Sequence, residues 1–141
     1  MTPLAETARG APKILVVDDE EDIVTYLMAV LEDNGYRAVG EGDAAAALEA
    51  VKREQPDLIL LDIMMPGQSG LSLYRDIRTN RSSADIPIFI ITGYSREEDV
   101  ARLLGSLTSE PLRLPEGYLE KPISVSKLLE SVRALFQKQG K

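Results

Sequence analysis

Three short apolar runs constrain this chain more than any other feature: Ile14–Val17, the LILL of Leu58–Leu61, and the β-branched stretch Ile86–Ile91. A strand with one face in water alternates apolar and polar side chains, whereas an unbroken apolar strand must be covered on both faces. Between these runs the apolar residues recur at helical spacing. Glu20–Asn34 carries Ile23, Leu27, Val30 and Leu31 and closes on Asn34-Gly35, a C-terminal cap pair. Asp43 is placed to N-cap the alanine-rich stretch Ala44–Gln55, which Pro56 stops. Short strands are predicted at Tyr36–Val39 and Tyr118–Glu120, and helices over Leu71–Thr79, about Ser95–Leu104 and Ser124–Gln137. The last of these puts Val125, Leu128, Leu129, Val132, Leu135 and Phe136 on one stripe. Strand then helix, five times over, with buried strands, implies a parallel sheet with helices on both faces and right-handed crossovers. The expected fold is therefore α/β, a doubly wound five-stranded parallel sheet.

Composition narrows the chemistry. The chain of 141 residues has the length of one domain; residues 1–12 read as a polar lead-in and 13–139 as the folded unit. It contains neither cysteine nor histidine, which removes thiolate nucleophiles, disulfides, the commonest zinc ligand and the commonest general base. With 23 acidic against 16 basic residues it carries a net charge of −7 and no strong basic stripe, so no direct binding to nucleic acid is expected. Its longest apolar stretch, Leu58–Met65, is interrupted by Asp62 and falls far short of the ~20 residues of a membrane span. The first twelve residues lack the apolar block of a secretory signal. These features predict a soluble, cytoplasmic protein with no membrane contact.

The polar residues that end the strands gather the remaining chemistry. Asp18 and Asp19 follow the first strand, Asp62 the third, Thr92 the fourth and Lys121 the fifth. A parallel sheet delivers all five to one edge, where doubly wound folds bind their ligands. Each has a plain alternative: either of Asp18 and Asp19 alone could cap the next helix, Thr92 could simply end its strand, and Lys121 could be a solvated charge. Asp62 resists such a reading, because it stands several residues before its helix and directly after four apolar residues. Neighbouring carboxylates repel one another until a hard divalent cation such as Mg²⁺ intervenes, and carboxylate, carbonyl and water oxygens are its preferred ligands. A carboxylate beside such a cation can act as a nucleophile toward phosphorus, with the lysine and hydroxyl offsetting the charge of the transferring group.

VVDDE, LILLDIMMPGQSG, IFIITGY and YLEKPI, in that order, resemble the motifs of the response-regulator receiver domain of two-component signalling, over Lys13 to about Gln137. The resemblance implies a CheY-like, flavodoxin-like (βα)5 fold with Asp62 as phosphoacceptor. It implies that Asp18, Asp19, Asp62 and the backbone carbonyl of Met64 hold Mg²⁺, with Mn²⁺ as a substitute. Thr92 is then the switch hydroxyl, Tyr118 the switch aromatic and Lys121 the phosphate-binding lysine, followed by a cis Lys121-Pro122 bond. The implied donor is a histidine kinase or a histidine phosphotransfer protein, and the implied output is a changed protein–protein surface with an as yet unspecified downstream partner. Two departures stand out. The stretch between Thr92 and Lys121 exceeds the family pattern by roughly two helical turns, ~7 residues, the excess falling in Gly105–Gly117, so no family dimer mode is carried over. Gly93 stands where alanine is more usual.

Three functions are compatible with these residues: a phosphorylatable stand-alone receiver, a degenerate receiver serving as a phosphorylation-independent interaction module, and an Mg²⁺-dependent phosphatase or mutase. The last usually has a second acid two residues beyond its nucleophile; Met64 occupies that position and cannot donate a proton. The chain ends soon after the predicted last helix, so the expectation is a signalling switch with no attached effector, not an enzyme acting on other substrates.

Overall fold

The computed structural model describes residues 10–93, 102 and 112–140. Five parallel strands, β1 (Lys13–Val17), β2 (Arg37–Glu41), β3 (Leu58–Asp62), β4 (Ile88–Thr92) and β5 (Gly117–Glu120), form one sheet in the order β2-β1-β3-β4-β5. The described helices are α1 (Glu21–Asp33), α2 (Ala44–Glu54), α3 (Ser69–Thr79), which follows a 3₁₀ turn at Pro66–Gln68, and α4 (Val125–Lys138). Apart from Arg102, the helix predicted near Ser95–Leu104 and the first part of the Gly105–Gly117 stretch lie outside the described residues.

The unbroken apolar runs are covered on both sides, as their sequence requires. Ile14, Val16, Leu58, Leu60, Phe89 and Ile91 pack with Leu27 and Leu31 of α1 and Leu128, Val132 and Phe136 of α4. Leu15, Val17, Ile59, Leu61, Ile88 and Ile90 face the other way, onto Ala47, Ala50 and Val51 of α2 and Leu73, Tyr74 and Ile77 of α3. Odd and even residues of each strand thus serve two cores, with side chains alternating across the sheet. Every residue of β3 and of β4 is buried.

Local signals set the helix ends. After α1, the Gly35 N–H donates to the Glu32 carbonyl and the Tyr36 N–H to the Leu31 carbonyl, the two bonds of a Schellman motif. Gly35 takes φ +91°, a conformation open to glycine and strained for a side chain. Asp43 caps α2 by accepting from the Ala46 N–H at 2.8 Å. That helix stops one residue short of the expected end, because Gln55 turns left-handed ahead of Pro56. Ser124 caps α4 by accepting from the Lys127 N–H. The predicted strands are displaced by one or two residues: β3 includes Asp62, and β4 begins only at Ile88, after Pro87. A ladder admits any residue whose backbone is paired, apolar or not.

Candidate functional site: an acidic pocket at the carboxyl edge

The strand order reverses between β1 and β3, and the two buried acids flank that point. Asp18 directly follows β1 and Asp62 is the last residue of β3; their relative exposures are 0% and 1%. Asp19, the next residue, is exposed. One carboxylate oxygen from each of Asp18, Asp19 and Asp62 lies within 4.8 Å of the other two. Lys121, immediately after β5, reaches across the end of β4 and donates through Nζ to Asp62 Oδ2 at 3.1 Å. The same Nζ stands 3.2 Å from Asp18 Oδ2. The Lys121-Pro122 peptide is cis, as the resemblance implies.

The two buried carboxylates are held from below by backbone. Asp18 Oδ1 accepts from the Glu20 N–H at 2.9 Å, and Asp62 Oδ1 accepts from the Met64 N–H at 2.8 Å. Neither Asp18 nor Asp19 caps α1; that position belongs to Glu20, whose side chain makes no capping bond. Asp18 Oδ2 is within ion-pair reach of Lys121 but lacks hydrogen-bond geometry, and among the described residues it is the one buried side-chain nitrogen or oxygen without a hydrogen-bond partner. Burial raises the Asp18 carboxyl above the ordinary 3.8; the Glu20 amide opposes this, and the charge of Asp62 adds to it. Burial works against the Lys121 ammonium, but its hydrogen bond to Asp62 and its ion pair with Asp18 outweigh that and raise its pKa above 10.5. One ammonium serves two buried carboxylates with Asp19 close by, and among the described residues a buried oxygen is left unsatisfied. This all-oxygen set fits a hard divalent cation.

Thr92 ends β4 and is buried, with a relative exposure of 2%. In the β4–β5 ladder Tyr118 lies opposite Ile90, and Glu120 opposite Thr92. Since paired residues share a face, Thr92 and half-buried Tyr118 are diagonal neighbours on the α2/α3 side, where Tyr118 packs on the core. Met64 lies in the loop leaving β3, its amide engaged by Asp62 and its side chain 50% exposed. Beside Lys121 a cavity of about 520 Å³ is lined by Ile23, Tyr26, Leu27, Pro122 and Ile123.

Two residues that shape the site escaped sequence reasoning. Gly70, in the first turn of α3, backs directly onto the Asp62–Ile63 backbone: a Cβ there would stand 2.5 Å from the Asp62 carbonyl oxygen. Its signal was present, since an isolated glycine at the start of a helical pattern can mark close backbone approach. Arg78 of α3 is buried and bonded to the segments that enter β4 and β5, which no local pattern announces.

A doubly wound sheet with buried acids on either side of its switch point places a candidate oxygen-donor cation site at the edge where open α/β folds bind their ligands. The chain belongs to the response regulator receiver domain family, whose model matches residues 14–133. Members of that family are normally signalling switches of two-component systems rather than enzymes, and receiver domains are phosphorylated by histidine kinases. The chain is 34% identical over 128 residues to the phosphate regulon transcriptional regulatory protein PhoB of Escherichia coli, covering 91% of this chain and 53% of that protein. It is 35% identical over 127 residues to the alkaline phosphatase synthesis transcriptional regulatory protein PhoP of Bacillus subtilis, covering 89% and 49%. The chain therefore spans about half the length of these curated relatives. Among solved structures, the chemotaxis protein CheY4 of Vibrio cholerae superposes with a TM-score of 0.75 at 25% identity, covering 89% of this chain and 98% of that one. The receiver domain of Francisella response regulator 1452 gives 0.72 at 28% identity, covering 91% and 98%. No helix among the described residues is long and apolar enough to cross a membrane.

Proposed function

We propose that this receiver takes a phosphoryl group onto Asp62 from a phosphohistidine donor, in the presence of Mg²⁺, and converts the event into a changed protein-binding surface. The observation that carries the reading is the pairing of Asp62 with Lys121 at 3.1 Å, beside a second buried carboxylate with an unsatisfied oxygen. Asp18, Asp19, Asp62 and the Met64 carbonyl would hold the cation, and Mn²⁺ would substitute. When bound, the cation supplies positive charge toward the phosphoryl oxygens. Asp62 Oδ1 is turned onto the Met64 amide, which fixes the carboxylate plane. A carboxylate oxygen forms the new bond to phosphorus as the donor's P–N bond breaks, and the departing imidazole keeps that electron pair and is protonated. Lys121 follows the growing negative charge from the carboxylate to the phosphoryl oxygens. The apolar cavity beside Lys121 offers the histidine-bearing donor a surface against Tyr26 and Ile123.

Incubation with acetyl phosphate and Mg²⁺, followed by intact-mass measurement, tests this. The expected result is a gain of one phosphoryl group per chain, absent in Asp62→Asn and after chelation. No gain would leave a phosphorylation-independent module, and hydrolysis of many equivalents would indicate an enzyme.

Thr92 and Tyr118 supply the coupling. With the phosphoryl group in place, Thr92 bonds one of its oxygens and Tyr118 moves into the vacated space on the same face, shifting an equilibrium between two surfaces around β5 and α4. Thr92→Ala is expected to leave phosphoryl uptake largely intact while removing most of the accompanying amide chemical-shift change in β5. A full shift change in that variant would refute the coupling.

A further inference from the structure

Outside the acidic pocket, the densest polar arrangement described is built on Arg78, near the end of α3. Its guanidinium is completely buried. Nη1 donates to the Ala84 and Ile86 carbonyls at 3.1 and 2.7 Å, in the loop that leads from α3 into β4. Nε donates to the Tyr74 hydroxyl and the Arg113 carbonyl, and Nη2 to the Leu114 carbonyl at 3.3 Å and Glu116 Oε1 at 2.8 Å, all but the first in the segment that enters β5. Tyr74 adds a bond from its hydroxyl to the Arg113 carbonyl. The guanidinium thus joins two backbone segments remote in sequence, in a fork geometry that lysine cannot reproduce.

Glu116 transmits this to the sheet. Its Oε1 also accepts from the Ile88 N–H at 2.8 Å, and its own N–H donates to the Ile88 carbonyl at 2.9 Å. Oε2 takes Arg113 Nε at 2.8 Å. Ile88 is the first residue of β4, and Gly117, next after Glu116, is the first of β5. Strand β5 has four residues and, among the described strands, lies at the sheet edge and pairs with β4 alone. Past its far end the Lys121 N–H binds the Thr92 carbonyl, and the side chain bridges Asp62 and Asp18. At ~3.3 Å per residue an extended strand transmits the placement of its first residue directly to its last. The first turn of the same helix presses on the Asp62 backbone through Gly70. One helix therefore braces the acid at one end and the strand that delivers the lysine at the other.

We propose that Arg78, acting through Glu116, is a positioning residue for Lys121: the buried fork sets where β5 begins and hence where the ammonium stands over Asp62. Its catalytic half rests on the function proposed above; its geometric half does not. The test is Arg78→Met, similar in length and without donors, compared with the unaltered protein in three measurements. Amide exchange at Glu116 and Lys121 should quicken roughly tenfold while Leu15 and Leu60 stay protected, as expected for loss of a buried charged hydrogen bond. Phosphoryl uptake from acetyl phosphate at saturating Mg²⁺ should slow by a similar factor. The Mg²⁺ dissociation constant, measured by calorimetry, should not weaken, because the acids do not lie on β5. Arg78→Lys should fall between the two. Unchanged exchange at Glu116 and Lys121, or uptake and Mg²⁺ affinity falling together, would overturn the proposal. Should Arg78→Met fail to fold, Glu116→Gln, which keeps the acceptor for Ile88, is judged by the same outcomes. If the unaltered protein takes up no phosphoryl group, the functional reading fails, and the exchange data still decide the clamp.

Discussion

Asp18→Asn is expected to stabilise the metal-free protein and, in the same stroke, to weaken its hold on a divalent cation. Asp18 is fully buried, its Oδ2 has no hydrogen-bond partner, and Asp62 lies in the same pocket. Asparagine keeps the oxygen that accepts from the Glu20 amide, removes the buried charge and replaces the orphaned oxygen with a donor aimed toward other carboxylates. The gain should be about 1–2 kcal/mol in urea unfolding with chelator present. Mg²⁺ affinity should fall by roughly tenfold or more, since a hard cation loses a charged ligand. The pH dependence gives the same answer by another route. The native carboxyl has a pKa raised above 3.8, so as pH falls the folded state binds its proton before the unfolded state does. Asp18's penalty is thus present near neutrality and disappears as pH drops from the raised value to 3.8. Asp18→Asn should flatten that portion of the stability profile. The raised pKa of Lys121 works the opposite way and elsewhere: its contribution is present below 10.5 and lost only as pH climbs through the native value. Equal stability of the two proteins in chelator would show that the pocket stores no electrostatic strain.

Gly70→Ala should be the most damaging small substitution in the described fold. The added Cβ would sit 2.5 Å from the Asp62 carbonyl oxygen, 2.6 Å from Ile63 Cα and 2.9 Å from the Ile63 carbonyl carbon, all backbone atoms with no rotamer to retreat into. Relief requires α3 to move off β3 or the Asp62 peptide to shift. Overpacking of this kind costs about 3 kcal/mol, of which the better helix propensity of alanine returns only ~1. The urea midpoint should fall with little change in slope, and phosphoryl uptake should slow beyond what the unfolded fraction explains, because the displaced peptide belongs to Asp62, the proposed acceptor. Gly93→Ala is the control. Among the described residues nothing lies within 4 Å of a Cβ at that position, so its stability should change by less than ~0.5 kcal/mol. Identical behaviour of the two variants would mean that α3 does not fix Asp62.

These two glycines illustrate what could be read from the chain and what could not. Gly93 departs from the family motif, yet no described residue lies within 4 Å of where its Cβ would be. Gly70 falls just before the predicted helix Leu71–Thr79, while α3 already begins at Ser69 and uses the missing side chain to close on β3. Sequence periodicity sees which face of an element is apolar; it does not see how near two backbones come. The strands are legible because a parallel strand buried on both sides must be continuously apolar, and Asp43 and Asn34-Gly35 are legible because caps act within a few residues of themselves. Arg78 is not, since two of its partners at Ala84, Ile86, Leu114 and Glu116 lie more than thirty positions away.

By itself the sequence determined the sheet class, the family and the edge on which the acids, the hydroxyl and the lysine collect, because strand ends in a parallel sheet all point the same way. It could not divide the labour between Asp18 and Asp19, adjacent residues of one kind. Tertiary structure decided that Asp18 is buried against Lys121 and Asp62 while Asp19 faces solvent. It also decided that α3 braces both the acid and the lysine-bearing strand. Burial and long-range hydrogen bonding are properties of what packs against a residue, and that is settled only when distant segments meet.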